Sequence, residues 1–120
     1  DFIGTGWEKI CNKSYYQKGF KFFKQIGITK FKVITDDYLY AKKLLADLNV
    51  DFLNSDGWQE DYSYLINSKN VISSNSTFSL SAIFIGLVES SDKNIIVPNE
   101  WIPNKHFEIP SDFKNMIQKL

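Results

Sequence analysis

Residues 73–79 are the stretch of this sequence best suited to binding chemistry. They read Ser-Ser-Asn-Ser-Thr-Phe-Ser and lie between two apolar runs, which predict a strand before them and a buried helix after them. The first N–H groups of a helix have no intrahelical partner, and the positive end of the helix dipole lies beside them. These amides and hydroxyls could therefore bind a phosphate. Ordinary capping by Ser76 or Thr77 explains the same residues, and neither common glycine-rich phosphate motif occurs in the sequence.

Three carboxylates form a second group of candidates. Asp36 and Asp37 follow an apolar run, where adjacent carboxylates could hold Mg²⁺ or orient a sugar hydroxyl. For Asp37 we favour the role of cap for the helix that follows it, and for Asp36 both a ligand and a solvated carboxylate stay open. Asp61 lies near the edge of the apolar stripe of another predicted helix, and its two oxygens could accept both N–H donors of a guanine edge. Local pattern alone favours the simpler interpretation of Asp61, a surface carboxylate near a helix N-terminus.

The remaining reactive residue types are few. Cys11 is the single cysteine, so an internal disulfide is excluded, and His106 is the single histidine, so a histidine-based metal site is excluded. We expect Cys11 to be structural. Trp101 and His106 follow the last predicted strand, where they either line the rim of a pocket or pin a C-terminal loop to the body of the domain.

Composition limits the classes of partner. A chain of 120 residues suffices for one domain, 1–120, with a single core. Its net charge is zero, which argues against nucleic acid, and no apolar run reaches the roughly 20 residues of a membrane span. Every basic residue is a lysine. If this chain binds a nucleotide alone, backbone amides, hydroxyls and lysines must hold the diphosphate. Otherwise arginine, the usual bidentate clamp, comes from outside these residues.

Helix and strand signals alternate along the chain. Ser14 with Gln17 resembles a capping box, and Gly27 is suited to end the helix that they begin. Apolar spacing predicts four later helices, the last of them a surface helix over residues 111–120 whose inward pair is Phe113 and Ile117. Four strands are predicted, at residues 31–34, 50–53, 70–73 and 94–97.

This alternation predicts an α/β domain, a Rossmann-like three-layer fold with a parallel sheet of about four strands. In such sheets ligands bind beyond the carboxyl ends of the strands. Three loops of the chain would meet there, at residues 35–37, 54–57 and 74–77. We therefore expect Asp36, Asp37 and the 73–79 segment to share one site.

Several of these segments, taken in order, resemble the α-1,2-fucosyltransferase family. The run Phe-Lys-Val-Ile-Thr-Asp-Asp at 31–37 is similar to the strand and acidic pair of that family. The runs Asp-Tyr-Ser-Tyr-Leu-Ile at 61–66 and Val-Ile-Ser-Ser-Asn-Ser-Thr-Phe-Ser at 71–79 resemble its most distinctive block. An apolar strand at 94–97, followed by Pro98 and Trp101, completes the likeness, which extends from about Tyr15 to Trp101.

The resemblance implies an inverting glycosyltransferase that moves L-fucose from GDP-fucose to a sugar hydroxyl without a metal or other cofactor. It implies that Asp61 reads the guanine and that Asp36 and Asp37 belong to a second motif of the donor site. The residues implied to hold the diphosphate of the donor are Asn75, Ser76, Thr77, Phe78 and Ser79. No catalytic base can be assigned from the sequence. The alternative is a non-catalytic Rossmann-like module that binds a nucleotide or mediates assembly.

The family has two Rossmann-like halves, and this chain resembles the C-terminal, donor-binding one. Its His-x-Arg-x-Gly-Asp motif would end at Asp1, so we expect the first strand and the N-terminal acceptor domain to lie outside these residues. The partners implied are a GDP-sugar donor, a glycan acceptor and the other half of the same enzyme, with neither nucleic acid nor a membrane span. We expect a cytoplasmic location, with peripheral attachment to the inner membrane left open.

Overall fold

A computed structural model describes residues 10–106 and 108–120. These ranges contain four α-helices and seven short strands. The helices are α1 (Lys13–Gln25), α2 (Tyr38–Leu44), α3 (Trp58–Asn67) and α4 (Thr77–Glu89). The strands are β1 (Phe31–Val33), β2 (Val50–Phe52), β3 (Asn70–Ile72), β4 (Asn94–Val97), β5 (Glu100–Ile102), β6 (Lys105–His106) and β7 (Ile117–Lys119). Helix and strand alternate from α1 to β4, and the last three strands follow without a further α-helix.

Local capping explains where the first two helices begin. Asn12 caps α1, because its side-chain oxygen accepts the N–H of Tyr15. The predicted capping box at Ser14 and Gln17 is therefore wrong, and both residues lie inside the helix. Asp37 caps α2 by accepting the N–H of Tyr40, as its position after the first strand predicted.

Five parallel strands are divided between two sheets, where the sequence predicted one sheet of about four. β1 pairs with β2, and β3, β4 and β7 form a second sheet in the order β3-β4-β7. A short antiparallel ladder joins β5 to β6. The class, α/β with parallel strands and intervening helices, is as predicted.

The C-terminal segment is the clearest correction. Residues 111–120 were predicted to be a helix, but they form a 3-10 turn (Ser111–Phe113) followed by β7. The reason is that β4 offers a second edge: Ile117 pairs opposite Ile95, and Leu120 donates its N–H to the carbonyl of Val97. Phe113 and Ile117 both pack in or against the apolar core, as predicted. They do so from a 3-10 turn and a strand and not from a helix.

Alternate residues of β3 and β4 are buried on opposite faces of their sheet. Val71, Ile95 and Val97 pack in one apolar cluster with Ile83 and Leu87 of α4. On the other face Ile96 packs with Tyr15 and Phe23 of α1, and Ile72 lies against that cluster. Helices therefore cover both faces, which is the usual environment of a parallel sheet.

Burial along α4 predicts how two like substitutions differ. Ile83 is 2% exposed in the core and Ile85, on the same helix, is 43% exposed. We expect Ile83→Ala to lower the free energy of unfolding by about 3 kcal/mol, because it leaves a cavity. The matched control, Ile85→Ala, should cost less than about 1 kcal/mol. Urea denaturation measures both, and equal losses would contradict this packing.

Candidate functional site

Two of the three predicted loops, at residues 35–37 and 74–77, meet at one large cavity of about 1400 Å³. No residue of the third loop, 54–57, is among its lining residues in the described part of the chain. The cavity lies beyond β1 and β3 and extends between them, with the starts of α3 and α4 at its rim. Six of the eight predicted donor-site residues line it, namely Asp36, Asp37, Asp61, Ser76, Phe78 and Ser79. Asn75 and Thr77 are not among its lining residues in the described part of the chain. The topology thus brings most of the predicted set together.

At the β3–α4 loop, serine hydroxyls organise the start of the helix. The Oγ of Ser76 accepts the N–H of Ser79 at 3.5 Å, so the predicted capping role is confirmed. The Oγ atoms of Ser73 and Ser79 lie 3.0 Å apart, which ties the strand end to the helix. The first helical bond runs from Leu80 N–H to the Ser76 carbonyl. The N–H groups of Thr77 and Phe78 precede it, in the turn where a helix supplies no acceptor of its own.

Asn75 and Trp101 have a structural role in this arrangement. The Asn75 amide donates to the carbonyl of Trp101 at 3.1 Å, and the Trp101 side chain packs against the core. Trp101 therefore pins the segment after β4, one of the two roles that its position suggested. His106 is exposed, with its Nδ1 3.3 Å from the side-chain nitrogen of Asn99.

The acidic pair after β1 has two different environments. Asp37 is occupied by the cap of α2, and its own N–H donates to the hydroxyl of Thr35 at 3.0 Å. Asp36 is exposed at the cavity. Of the two, Asp36 is therefore the carboxylate more accessible to a ligand.

On α3, a carboxylate and an exposed indole lie side by side. Asp61 is half-buried and accepts a hydrogen bond from the hydroxyl of Ser55. Trp58, three residues earlier on the same helix face, is 62% exposed and lines the same cavity. Tyr62 joins α3 to α4, because its ring lies 5.2 Å from that of Phe78 and its hydroxyl donates to Ser81. The apolar spacing of the sequence predicted only that Trp58 belongs to a helix. Its position at the start of that helix, directly after a loop expected near the site, is the sequence feature that could have identified it as a site residue.

Tyr15 is the second residue that sequence reasoning missed. Its buried hydroxyl donates to the carbonyl of Ser73 at 2.6 Å, which fixes α1 to the end of β3. Burial raises the pKa of Tyr15 and of Tyr16, so both are neutral hydrogen-bonding groups. A tyrosine on the inward face of an amphipathic helix needs a buried acceptor, which is the signal that could have identified it.

The described residues contain neither a candidate metal site nor a candidate membrane span. Among residues 10–106 and 108–120, no cluster of three histidine, cysteine or acidic side chains is arranged to hold a metal ion. No helix in these same ranges has the length and apolar content to cross a membrane.

Comparison with known proteins found no match to this chain among protein-family models, curated proteins or solved structures.

Cys11, beside Tyr16 at the start of α1, yields a prediction about pH. Burial raises the pKa of its thiol from 9.0 to about 11. At pH 8 the thiolate, the reactive form, should be about a hundredfold rarer than in the unfolded chain. We expect alkylation by iodoacetamide to be correspondingly slower in the native chain than in urea. Between pH 9 and 11 the native rate should keep rising while the unfolded rate levels off. Parallel pH profiles would contradict the burial of this thiol.

Proposed function

We propose that this chain is the donor-binding half of an inverting α-1,2-fucosyltransferase that uses GDP-fucose. The observation that supports it is the placing of Trp58 and Asp61 on one face of α3, in the same cavity as Ser76 and Ser79 at the start of α4. An aromatic face, a carboxylate and a helix N-terminus are suited to the three parts of a guanosine diphosphate, namely the purine face, the guanine edge and the phosphates. The order of motifs along the chain adds the fucosyltransferase assignment.

Asp61 is the residue that would choose the base. A guanine edge presents two neighbouring N–H donors, which a carboxylate accepts together, whereas adenine presents an acceptor beside a donor. Ser55 holds the carboxylate through Oδ1, and each carboxylate oxygen retains further acceptor capacity. The ring of Trp58 offers the flat apolar surface on which a purine stacks.

The diphosphate would bind at the start of α4, where Phe78 lines the cavity and the N–H groups of Phe78 and of Thr77 before it have no helical acceptor. They lie at the positive end of α4, a 13-residue helix. Neutralising a departing GDP needs more charge than two amides supply, and the chain contains lysine but no arginine. The lysines that line the cavity, Lys30, Lys32 and Lys69, are single charges and do not form a bidentate clamp. We therefore assign the clamp and the catalytic base to the other half of the proposed enzyme, so that this chain binds the donor without transferring it.

Calorimetric titration with GDP, GMP and ADP tests the base and diphosphate assignments. We expect GDP to bind more tightly than GMP, because the second phosphate contacts the start of α4, and more tightly than ADP, because of Asp61. Asp61→Asn keeps the acceptor for Ser55 but replaces one acceptor oxygen by a donor. It should reduce the preference for GDP over ADP by about tenfold or more.

The matched control is Asp56→Asn, since Asp56 is an exposed acid of the same loop region and is not a lining residue of the cavity among those described. It should leave the preference unchanged. Binding of GDP and ADP with equal affinity would contradict guanine recognition. Absence of nucleotide binding would favour the alternative of an assembly module.

A turnover assay tests the division of labour between the two halves. With GDP-fucose and a galactoside acceptor, we expect the 120-residue chain to release no more GDP than a sample without protein. Fucosylated product from this chain alone would show that the base and the cation are already present in it.

A further inference from the structure

The charges of this chain are divided unevenly along its sequence. The formal net charge is zero, yet residues 9–35 contain seven of the 14 cationic residues, all of them lysines, and no acidic residue. Residues 36–120 contain the other seven lysines together with 12 of the 14 acidic residues. Zero net charge therefore conceals a basic segment, and that segment includes the whole of α1.

Helix α1 has an aromatic side that faces the core and a basic side that faces solvent. Tyr15, Gly19 and Phe23 are its buried residues. At about 100° per residue, its exposed positions fall within roughly 120° of the helix circumference. These exposed positions are all polar, namely Ser14, Gln17, Lys18, Lys21, Lys24 and Gln25. We call the side formed by Lys18, Lys21 and Lys24 the lysine face.

Contacts on the inner side fix which side of α1 a partner can reach. The hydroxyl of Tyr15 donates to the carbonyl of Ser73 at 2.6 Å. Gly19 approaches Ile72 of β3 so closely that an added Cβ would lie 2.8 Å from its Cδ1. The aromatic side is therefore committed to the core, and only the lysine face is available for binding.

The charges of the lysine face are not neutralised within the described residues. Lys13, at the start of α1, forms an ion pair with Asp47. Lys18, Lys21 and Lys24 form no ion pair with any residue of 10–106 or 108–120. These three lysines span about 9 Å along the helix axis, which is less than the Debye length of about 10 Å at 0.1 M salt. Their charges therefore act together on an anionic partner.

We propose that the lysine face docks this chain on the surface of an anionic phospholipid bilayer. Each lysine near such a surface raises the affinity by about fivefold. Because the apolar side of α1 is buried in the core, the contact is with the headgroups, without insertion into the acyl chains. The docking is therefore reversible and sensitive to salt.

The residue types of the lysine face favour lipid headgroups over other anionic partners. Lysine is a compact, hydrated charge on a flexible stem and lacks the planar fork by which arginine recognises one particular phosphate or carboxylate. Along α1, all of which the structure describes, no exposed position carries an aromatic ring on which a nucleic-acid base could stack. Lysine is also depleted from protein–protein interfaces. A plane of mobile, charged headgroups requires none of these features.

Co-sedimentation with lipid vesicles is the first readout. At about 0.1 M salt, we expect the 120-residue chain to bind vesicles of phosphatidylserine and phosphatidylcholine, in equal amounts, at least tenfold more tightly than vesicles of phosphatidylcholine alone. Raising the salt to about 1 M, where the Debye length is about 3 Å, should abolish this preference. Equal binding to the two kinds of vesicle, or a preference that persists at about 1 M salt, would overturn the proposal.

Substitution in the lysine face is the second readout. Lys21→Gln combined with Lys24→Gln should lower the affinity for phosphatidylserine vesicles by about 25-fold. Glutamine has nearly the helix propensity of lysine, so we expect α1 to be retained, which circular dichroism can verify. The matched control is Lys105→Gln combined with Lys114→Gln, which removes the same charge from exposed positions outside the basic segment. The control should change the affinity by less than about twofold. Equal losses in the two variants would overturn the proposal.

Competition distinguishes lipid from nucleic acid as the partner. Phosphatidylglycerol in place of phosphatidylserine should support binding within about threefold, because lysine reads charge and not headgroup shape. A DNA duplex that binds the chain more tightly than the phosphatidylserine vesicles, and loses that binding in the Lys21 and Lys24 variant, would overturn the proposal. The proposal uses no residue of the predicted donor site, so its outcome is independent of GDP binding.

Discussion

The burial of β3 and β4 on both faces is the constraint on which the rest of the structure depends. Val71 and Ile95 face α4, whereas Ile72 and Ile96 face α1, so the two helices must lie on opposite sides of the sheet. That placing brings the hydroxyl of Tyr15 to the carbonyl of Ser73 and sets the end of β3 directly before α4. The helix N-terminus at the cavity is thus a consequence of how the strands are covered.

Much of the fold could be predicted because its signals are local. Asp37 and Ser76 cap the helices that they precede, and β4 occupies residues 94–97 as its apolar run before Pro98 indicates. The C-terminal strand could not be predicted in this way. Phe113 and Ile117 suit an inward helix face equally well, and what decides is the edge of β4, about twenty residues away in the sequence. The division into two sheets depends likewise on pairing between distant segments.

The candidate site was predicted in part for the same reason. The loops after β1 and β3 meet at one cavity, which Asp36, Asp61 and Ser76 line, whereas no residue of the loop after β2 lines it among the described residues. Which neighbours turn into that cavity is set by tertiary contacts. Asn75 turns to the backbone of Trp101 instead, and the exposure of Trp58 follows from the packing of α3 on α4. Residue type and spacing could identify these positions as candidates, but they could not predict the direction in which each side chain points.

The most direct test of the functional account is an NMR titration of the backbone amides with GDP. The account predicts saturable shifts at Thr77 and Phe78 together with Asp61, while β5 and β6 stay unchanged. Saturable shifts confined to other parts of the chain, or none, would contradict it.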